Sequence, residues 1–174
     1  MGWAPGYAIQ YLRYLTPVFP YRYSTLTMTA NRCYLMPIQV PIRLTVDRIC
    51  IPWAGTVAGN IRAGIYKDNG ETPEGGDLLV ESASVAKSGT NRLQEITITD
   101  TQLDAGLYWV AIQGDESTTE VERSTGRYYH NGALQEYYYD LGAYGPFTDP
   151  CPAVTVGGNY CPLVVLRVKE VYQP

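Results

Sequence analysis

Catalysis needs groups that trade protons or electron pairs at a fixed distance, and this chain of 174 residues offers few of them. Its one histidine, His130, lies in the segment YYHNG. A Ser-His-Asp or Cys-His mechanism would have to use it as the base. The residues around it form neither the sharp elbow that exposes a nucleophilic serine nor the signature of a papain-like cysteine. A glycosidase instead requires two carboxyl groups flanking one bond, and Glu120, Glu122, Glu136 and Asp140 are the candidates. Any acidic β protein supplies pairs of this kind, so the expectation is a non-enzyme with no catalytic, cofactor-binding or metal-binding residue.

Cys33, Cys50, Cys151 and Cys161 lack the paired spacing that zinc requires. Cys151 and Cys161 bracket the loop PAVTVGGNY, which is long enough to fold back and close a disulfide, and Cys33 and Cys50 lie on consecutive predicted strands. Synthesis in a reducing compartment would leave all four as buried free thiols instead. The run Lys67-Asp68-Asn69-Gly70-Glu71 holds a fragment of the oxygen pattern of a calcium loop without its distal glutamate, and reads as a hairpin turn.

Recognition chemistry is better represented. Tyr128, Tyr129, Tyr137, Tyr138, Tyr139 and Tyr144 crowd one region, and tyrosine offers a flat apolar ring with a hydrogen-bonding tip at low entropic cost. A second aromatic segment opens the chain, where Trp3, Tyr7, Tyr11, Tyr14, Phe19, Tyr21 and Tyr23 are interrupted by Pro5, Pro17 and Pro20. Residues 1–26 therefore read as an extended arm, too aromatic to stay in water and too rich in proline for a continuous helix. The two aromatic groups are the candidate interface, buried against other copies of the chain. The alternatives are a glycan-binding platform for the later tyrosines and an added edge strand for the arm.

These side chains must be positioned by strands. The 17 glycines and 12 prolines punctuate short apolar or alternating runs, and no long stretch carries apolar residues at helical spacing. Strands are expected at Arg32 to Pro37, Ile42 to Ile51, Ile61 to Tyr66, Leu78 to Ser84, Leu93 to Thr99, Leu107 to Gln113 and Leu163 to Val171. Asp115 to Ser124 is expected as a polar loop, and Trp109 as a core residue between two sheets. The expectation is an all-β, antiparallel sandwich of about eight strands, with residues 1–26 as the arm and 27–174 as one domain.

Charge is unevenly spread. Residues 1–67 hold seven of the 13 basic residues and one acid, Asp47, whereas residues 68–174 hold six basic residues and 16 acids. The halves can face each other in one fold, or the basic segment can dock on an acidic neighbour; ten of the basic residues are arginines, suited to paired interface contacts. A net charge of −4 without Lys/Arg runs disfavours nucleic acid. No run of about eighteen apolar residues spans a membrane, and MGWAPGYAIQYLRYL lacks the features of a secretory signal, so a soluble protein is expected.

The stretch GNIRAGIYKDNGETPEGGDLLVESASV followed by GTNRLQEITITDTQLDAGLYWVAIQG resembles the jelly-roll-like β-sandwich domains of virion structural proteins of tailed bacteriophages, among them head-decoration, tail and fibre-associated proteins. The resemblance covers about Asn31 to Gly114 and rests on strand cores and turn glycines. It implies a capsid decoration or cement protein, or a tail or fibre component, assembled in the host cytoplasm and located in the virion. Its partners would be itself, as a homo-oligomer and by analogy a trimer, and the major capsid or tail protein, with host-surface glycan as a further partner.

Overall fold

The computed structural model describes residues 13–15, 23–55, 57–70, 72–89, 92–124, 137–157 and 161–172. The described secondary structure consists of strands: β1 (Tyr14–Leu15), β2 (Tyr23–Thr27), β3 (Arg32–Val40), β4 (Leu44–Pro52), β5 (Asn60–Lys67), β6 (Leu78–Glu81), β7 (Val85–Ala86), β8 (Leu93–Leu103), β9 (Gly106–Gly114), β10 (Glu120–Ser124), β11 (Tyr137–Asp140), β12 (Thr155–Val156), β13 (Cys161–Pro162) and β14 (Val165–Val171). Neighbouring strands are antiparallel, in three sheets ordered β1-β14-β4-β8, β13-β10-β2 and β12-β11-β3-β9-β5-β6, with β7 also on β5.

A folded ribbon organises the molecule. β3 pairs with β9 from Cys33 opposite Gln113 to Val40 opposite Gly106, and β4 pairs with β8 from Leu44 opposite Leu103 to Pro52 opposite Leu93. The same two stretches of chain thus run side by side through both sheets, bending together at Pro41 to Arg43 and at Asp104 to Ala105. Pro41 has no amide to donate, which suits the point where one ladder stops and the other begins. At the bend Arg43 Nε donates to Asp104 Oδ1 at 2.6 Å; both side chains are more than half exposed, so the pair contributes at most about 1 kcal/mol.

Alternation along the ribbon sorts side chains between two cores. Tyr108, Val110 and Ile112 of β9 join Tyr34, Met36, Ile38 and Val40 of β3 in a main cluster, where they meet Leu44, Val46, Ile49, Ile51, Ile96 and Leu166 from the other sheet. The inward parity of β4 changes between Val46 and Ile49 because a bulge interrupts its register with β8 there, leaving Asp47 and Arg48 on the outside. The opposite face of β3 and β9 carries Cys33, Leu35, Trp109 and Ala111, covered by Tyr137, Tyr139, Phe147 and Cys151. A sheet buried on both faces reads as an apolar run, which explains sequences such as LYWVAI. Gly64 permits the cover, since a Cβ there would lie 2.9 Å from the Phe147 ring and from the Val80 carbonyl oxygen.

Three expectations change. Trp109 is fully buried, but in the second cluster on the outer face of its sheet and not between the sheets, because odd positions of β9 point away from the main core. Asp115 to Ser124 is only partly a loop: from Glu120 onward it is β10, whose Val121 is buried and bridges to Trp53. About eight strands is an undercount, since short strands such as β1, β2 and β11 join the seven expected ones.

The arm also proves to be partly self-associated. β1 pairs with β14 and β2 pairs with β10, while Leu15 enters the main cluster and Leu26 packs against it. Residues 14–15 and 23–26 therefore belong to the chain's own sheets, because two short strands complete ladders that β14 and β10 would otherwise leave open. Residues 1–12 and 16–22 lie outside the described residues.

Candidate functional site

The tyrosine region divides once the backbone is placed. β11 adds to the edge of β3 with Tyr137 opposite Leu35 and Tyr139 opposite Cys33, so both rings turn onto the sheet. Tyr137 meets Trp109 edge-on at 5.3 Å between ring centroids, and the Tyr139 and Tyr66 hydroxyls lie 3.0 Å apart, with Tyr66 Oη also donating to the Thr148 carbonyl at 2.7 Å. Burial pushes the phenols of Tyr66 and Tyr139 well above the ordinary tyrosine range, so both stay neutral hydroxyls. These two members of the expected interface, Tyr137 and Tyr139, are spent on the protein's own core.

Tyr138 points the other way and is half-buried. Arg32 Cζ stands 3.9 Å from its ring centroid, and Arg32 Nε and Nη2 reach the Asp140 carboxylate at 2.9 and 3.1 Å. The Arg32 guanidinium holds the Asp140 carboxyl below its usual range. Tyr14, half-buried on β1, directs its hydroxyl to Glu95 at 3.3 Å. Trp3, Tyr7, Tyr11, Phe19, Tyr21, Tyr128 and Tyr129 lie outside the described residues, as does the side chain of Tyr23.

The described carboxylate candidates fall on two sheets. Glu120 and Glu122 lie on β10 opposite Thr27 and Thr25, in the small sheet, whereas Asp140 lies on β11 in the large one and is held by Arg32. Glu136 and His130 lie outside the described residues. Asp68 of the calcium-like fragment uses one oxygen to accept from Gly70 N–H at 3.0 Å and the other to accept from Trp109 Nε1 at 2.7 Å, and Glu71 lies outside the described residues. It anchors a turn to the core. Among the described residues no three His, Cys, Asp or Glu side chains gather as metal ligands.

Cys33, Cys50 and Cys151 are buried free thiols. Cys151 is turned into the second cluster with Cys33, and its backbone is fixed by hydrogen bonds with Gly75 and Gly76. Of the two alternatives for Cys151, a bridge to Cys161 or a free thiol, the structure has the free thiol; Cys161 lies on β13, hydrogen-bonded to β10 in another sheet, and its side chain is outside the described set. Cys33 and Cys50 are likewise unbridged. Burial pushes the thiols of Cys50 and Cys151 up to about 12 and that of Cys33 higher still, which makes all three poor nucleophiles.

Two charged groups have structural work. On the outer face of β4, Asp47 accepts from Arg167 Nε and Nη2 at 2.9 and 2.6 Å, while Arg167 Nη1 reaches Glu95 at 2.8 Å. Arg167 holds the Asp47 carboxyl below its usual range against the opposing effect of burial. Lys87 is the unusual one: its side chain is fully buried, its Nζ lies 3.2 Å from Thr119 Oγ1 and 3.9 Å from Asp115 Oδ1, and burial depresses its ammonium below the usual lysine range.

One polar row escaped the sequence reading. Arg62 of β5 and Gln113 of β9 are direct ladder partners on the outer face of the large sheet, beneath the loop that carries Tyr144. No sequence signal marks them, because each is a single polar residue near the end of an apolar strand and their adjacency exists only once β5 and β9 pair. Neither the protein-family models nor the curated proteins with which the chain was compared match it.

Proposed function

We propose that this protein is a non-enzymatic structural component of a virion: a jelly-roll-like β-sandwich that binds the capsid as a decoration or cement protein or belongs to the tail or a fibre. The observation that carries the reading is the folded ribbon. The stretch that resembles phage virion domains, Asn31 to Gly114, is the stretch that runs from β3 to β9 and supplies both strands of the ribbon in both sheets. Two sheets closing on a shared apolar cluster, with the chain crossing from one to the other between β3 and β4 and again between β8 and β9, is the layer arrangement of a sandwich. The strongly perturbed side chains support the non-catalytic part, since Tyr66, Tyr139, Cys33 and Cys151 are shifted by burial in a packed cluster and not poised at an open cleft.

In this reading the partners are further copies of the chain, as a homo-oligomer, and a capsid or tail protein. Attachment falls to the aromatic residues of the arm ahead of β1 and between β1 and β2. Mass spectrometry of purified particles tests it directly: a fixed copy number per particle is expected, and absence from particles made by an infected host overturns it. A carbohydrate-binding module is the second reading. Burial of Tyr137 and Tyr139 weighs against it, and the polar row beneath Tyr144 weighs for it.

A further inference from the structure

Arg62 Nε and Gln113 Oε1 are buried and have no hydrogen-bond partner among the described residues. One is a donor and the other an acceptor, on adjacent strands at the same rung. The amide of Gln113, whose residue is fully buried, is fixed in orientation by its Nε2, which donates to the carbonyl oxygens of Asn31 at 3.1 Å and Ala143 at 3.4 Å; turning it over would set oxygen against oxygen. Arg62 is held at its far end, with Nη1 donating to the Ser82 carbonyl at 3.3 Å and lying 3.8 Å from Glu81 Oε2. The two unpaired atoms are therefore set by their neighbours and not by loose side chains.

Leaving a buried donor and a buried acceptor unmade costs free energy, and a guest that satisfies both recovers it. Carboxylate and phosphate only accept, and an ammonium only donates; a hydroxyl does both at once. Beside the row stands a ring suited to the apolar face of a sugar. Tyr144 is half-buried, its centroid 5.8 Å from Arg62 Cζ, and its hydroxyl is 2.8 Å from Ser84 Oγ. Its loop can yield, because Gly142 and Gly145 flank the residue with open space around them and Gly142 has φ of 70°.

We propose that Arg62, Gln113 and Tyr144 form a subsite for a neutral saccharide. A ligand hydroxyl accepts from Arg62 Nε and donates to Gln113 Oε1, and the Tyr144 ring packs on the sugar face. The site does not depend on the virion reading, which particle composition tests separately.

Saturation-transfer NMR of the full chain with glucose, galactose, N-acetylglucosamine and their disaccharides tests the proposal, followed by titration of any sugar that responds. Millimolar binding of at least one is expected. Both Arg62→Met and Tyr144→Ala should weaken it about tenfold or more, the equivalent of about 1.4 kcal/mol. Tyr144→Ala keeps the β-sheet circular dichroism and decides the matter should Arg62→Met fail to fold. No transfer to any of these sugars at millimolar concentration, or binding that Tyr144→Ala leaves undiminished, overturns the proposal and leaves a site for water alone.

Discussion

The indole Nε1 of Trp109 donates to Oδ1 of Asp68 at 2.7 Å, which ties the middle of β9 to the turn that ends β5. The same carboxylate caps Gly70 N–H, so one side chain fixes the turn and satisfies the polar atom of the largest buried ring in the second cluster. Asp68→Ala should cost about 1–3 kcal/mol by removing the carboxylate that accepts from both the indole and the turn. Trp109→Ala should cost about 3–5 kcal/mol through the cavity it leaves. Denaturant titration of both variants checks the order; equal losses would mean that the hydrogen bond and not the ring dominates.

Acid should loosen the outer face of β4. The Arg167 guanidinium depresses the Asp47 carboxyl relative to the unfolded chain, where it titrates near about 3.9. A folded value below the unfolded one means that the stabilisation is complete above about pH 4 and is lost as pH falls through the folded value. Asp47→Asn should therefore be less stable than wild type at pH 7, and the gap should close below pH 4. A gap independent of pH, measured by thermal melts, would remove the ion pair from the account.

Lys87 points the opposite way. Its side chain is fully buried and its ammonium is disfavoured by burial despite Asp115, so the folded state binds its proton less readily than the unfolded chain. That opposes folding at neutral pH and relaxes as pH rises toward the unfolded value near about 10.4. Lys87→Met should be neutral or stabilising by about 1–2 kcal/mol at pH 7, since Asp115 keeps its two hydrogen bonds from Asn60. A loss greater than about 2 kcal/mol would show that the contacts to Thr119 and Asp115 outweigh the burial.

Leu15, 7% exposed, lies on a two-residue strand and still enters the main cluster. Leu15→Ala should cost about 2–4 kcal/mol, within the range for buried leucines. Removal of residues 1–26 should lower thermal stability clearly by stripping β1 and most of β2. A truncated chain as stable as the full one would return the whole segment to the role of a free arm.

The three buried thiols should resist iodoacetamide in the native protein and react within minutes in denaturant, because thiolate and not thiol is the attacking species. Peptide mapping would reveal rapid native alkylation of Cys33, Cys50 or Cys151, which would contradict their burial.

Seven strands were legible because their apolar runs or period-two alternation are bounded by proline, glycine or aspartate turns, as with Leu107 to Gln113 after the corner at Asp104 to Gly106. What alternation does not encode is which face meets which layer. Trp109 and Tyr108 are both apolar and adjacent, so only the pairing of β9 with β3 and β5 sends one to each cluster. β10 was missed because Val121 is its one large apolar residue, and its strand character comes from the partners β2 and β13. The run Tyr137-Tyr138-Tyr139 has no hydrophobic period at all, so its split into two core rings and one outward ring was invisible before β11 docked on β3. Arg62 and Gln113 became a pair for the same reason.

The ribbon sets the timetable of synthesis. β3 and β4 leave the ribosome well ahead of their partners β9 and β8, which lie on the far side of β5, β6 and β7. Val46 and Ile49 wait for β8, complete at Leu103, and Met36 and Ile38 wait for β9, complete at Gly114; no local hairpin between β3 and β4 substitutes because the two go to different sheets. The nascent chain thus carries adhesive strands unpaired throughout the synthesis of β5, β6 and β7, and covers them in steps as β8, then β9 and last β14 are released.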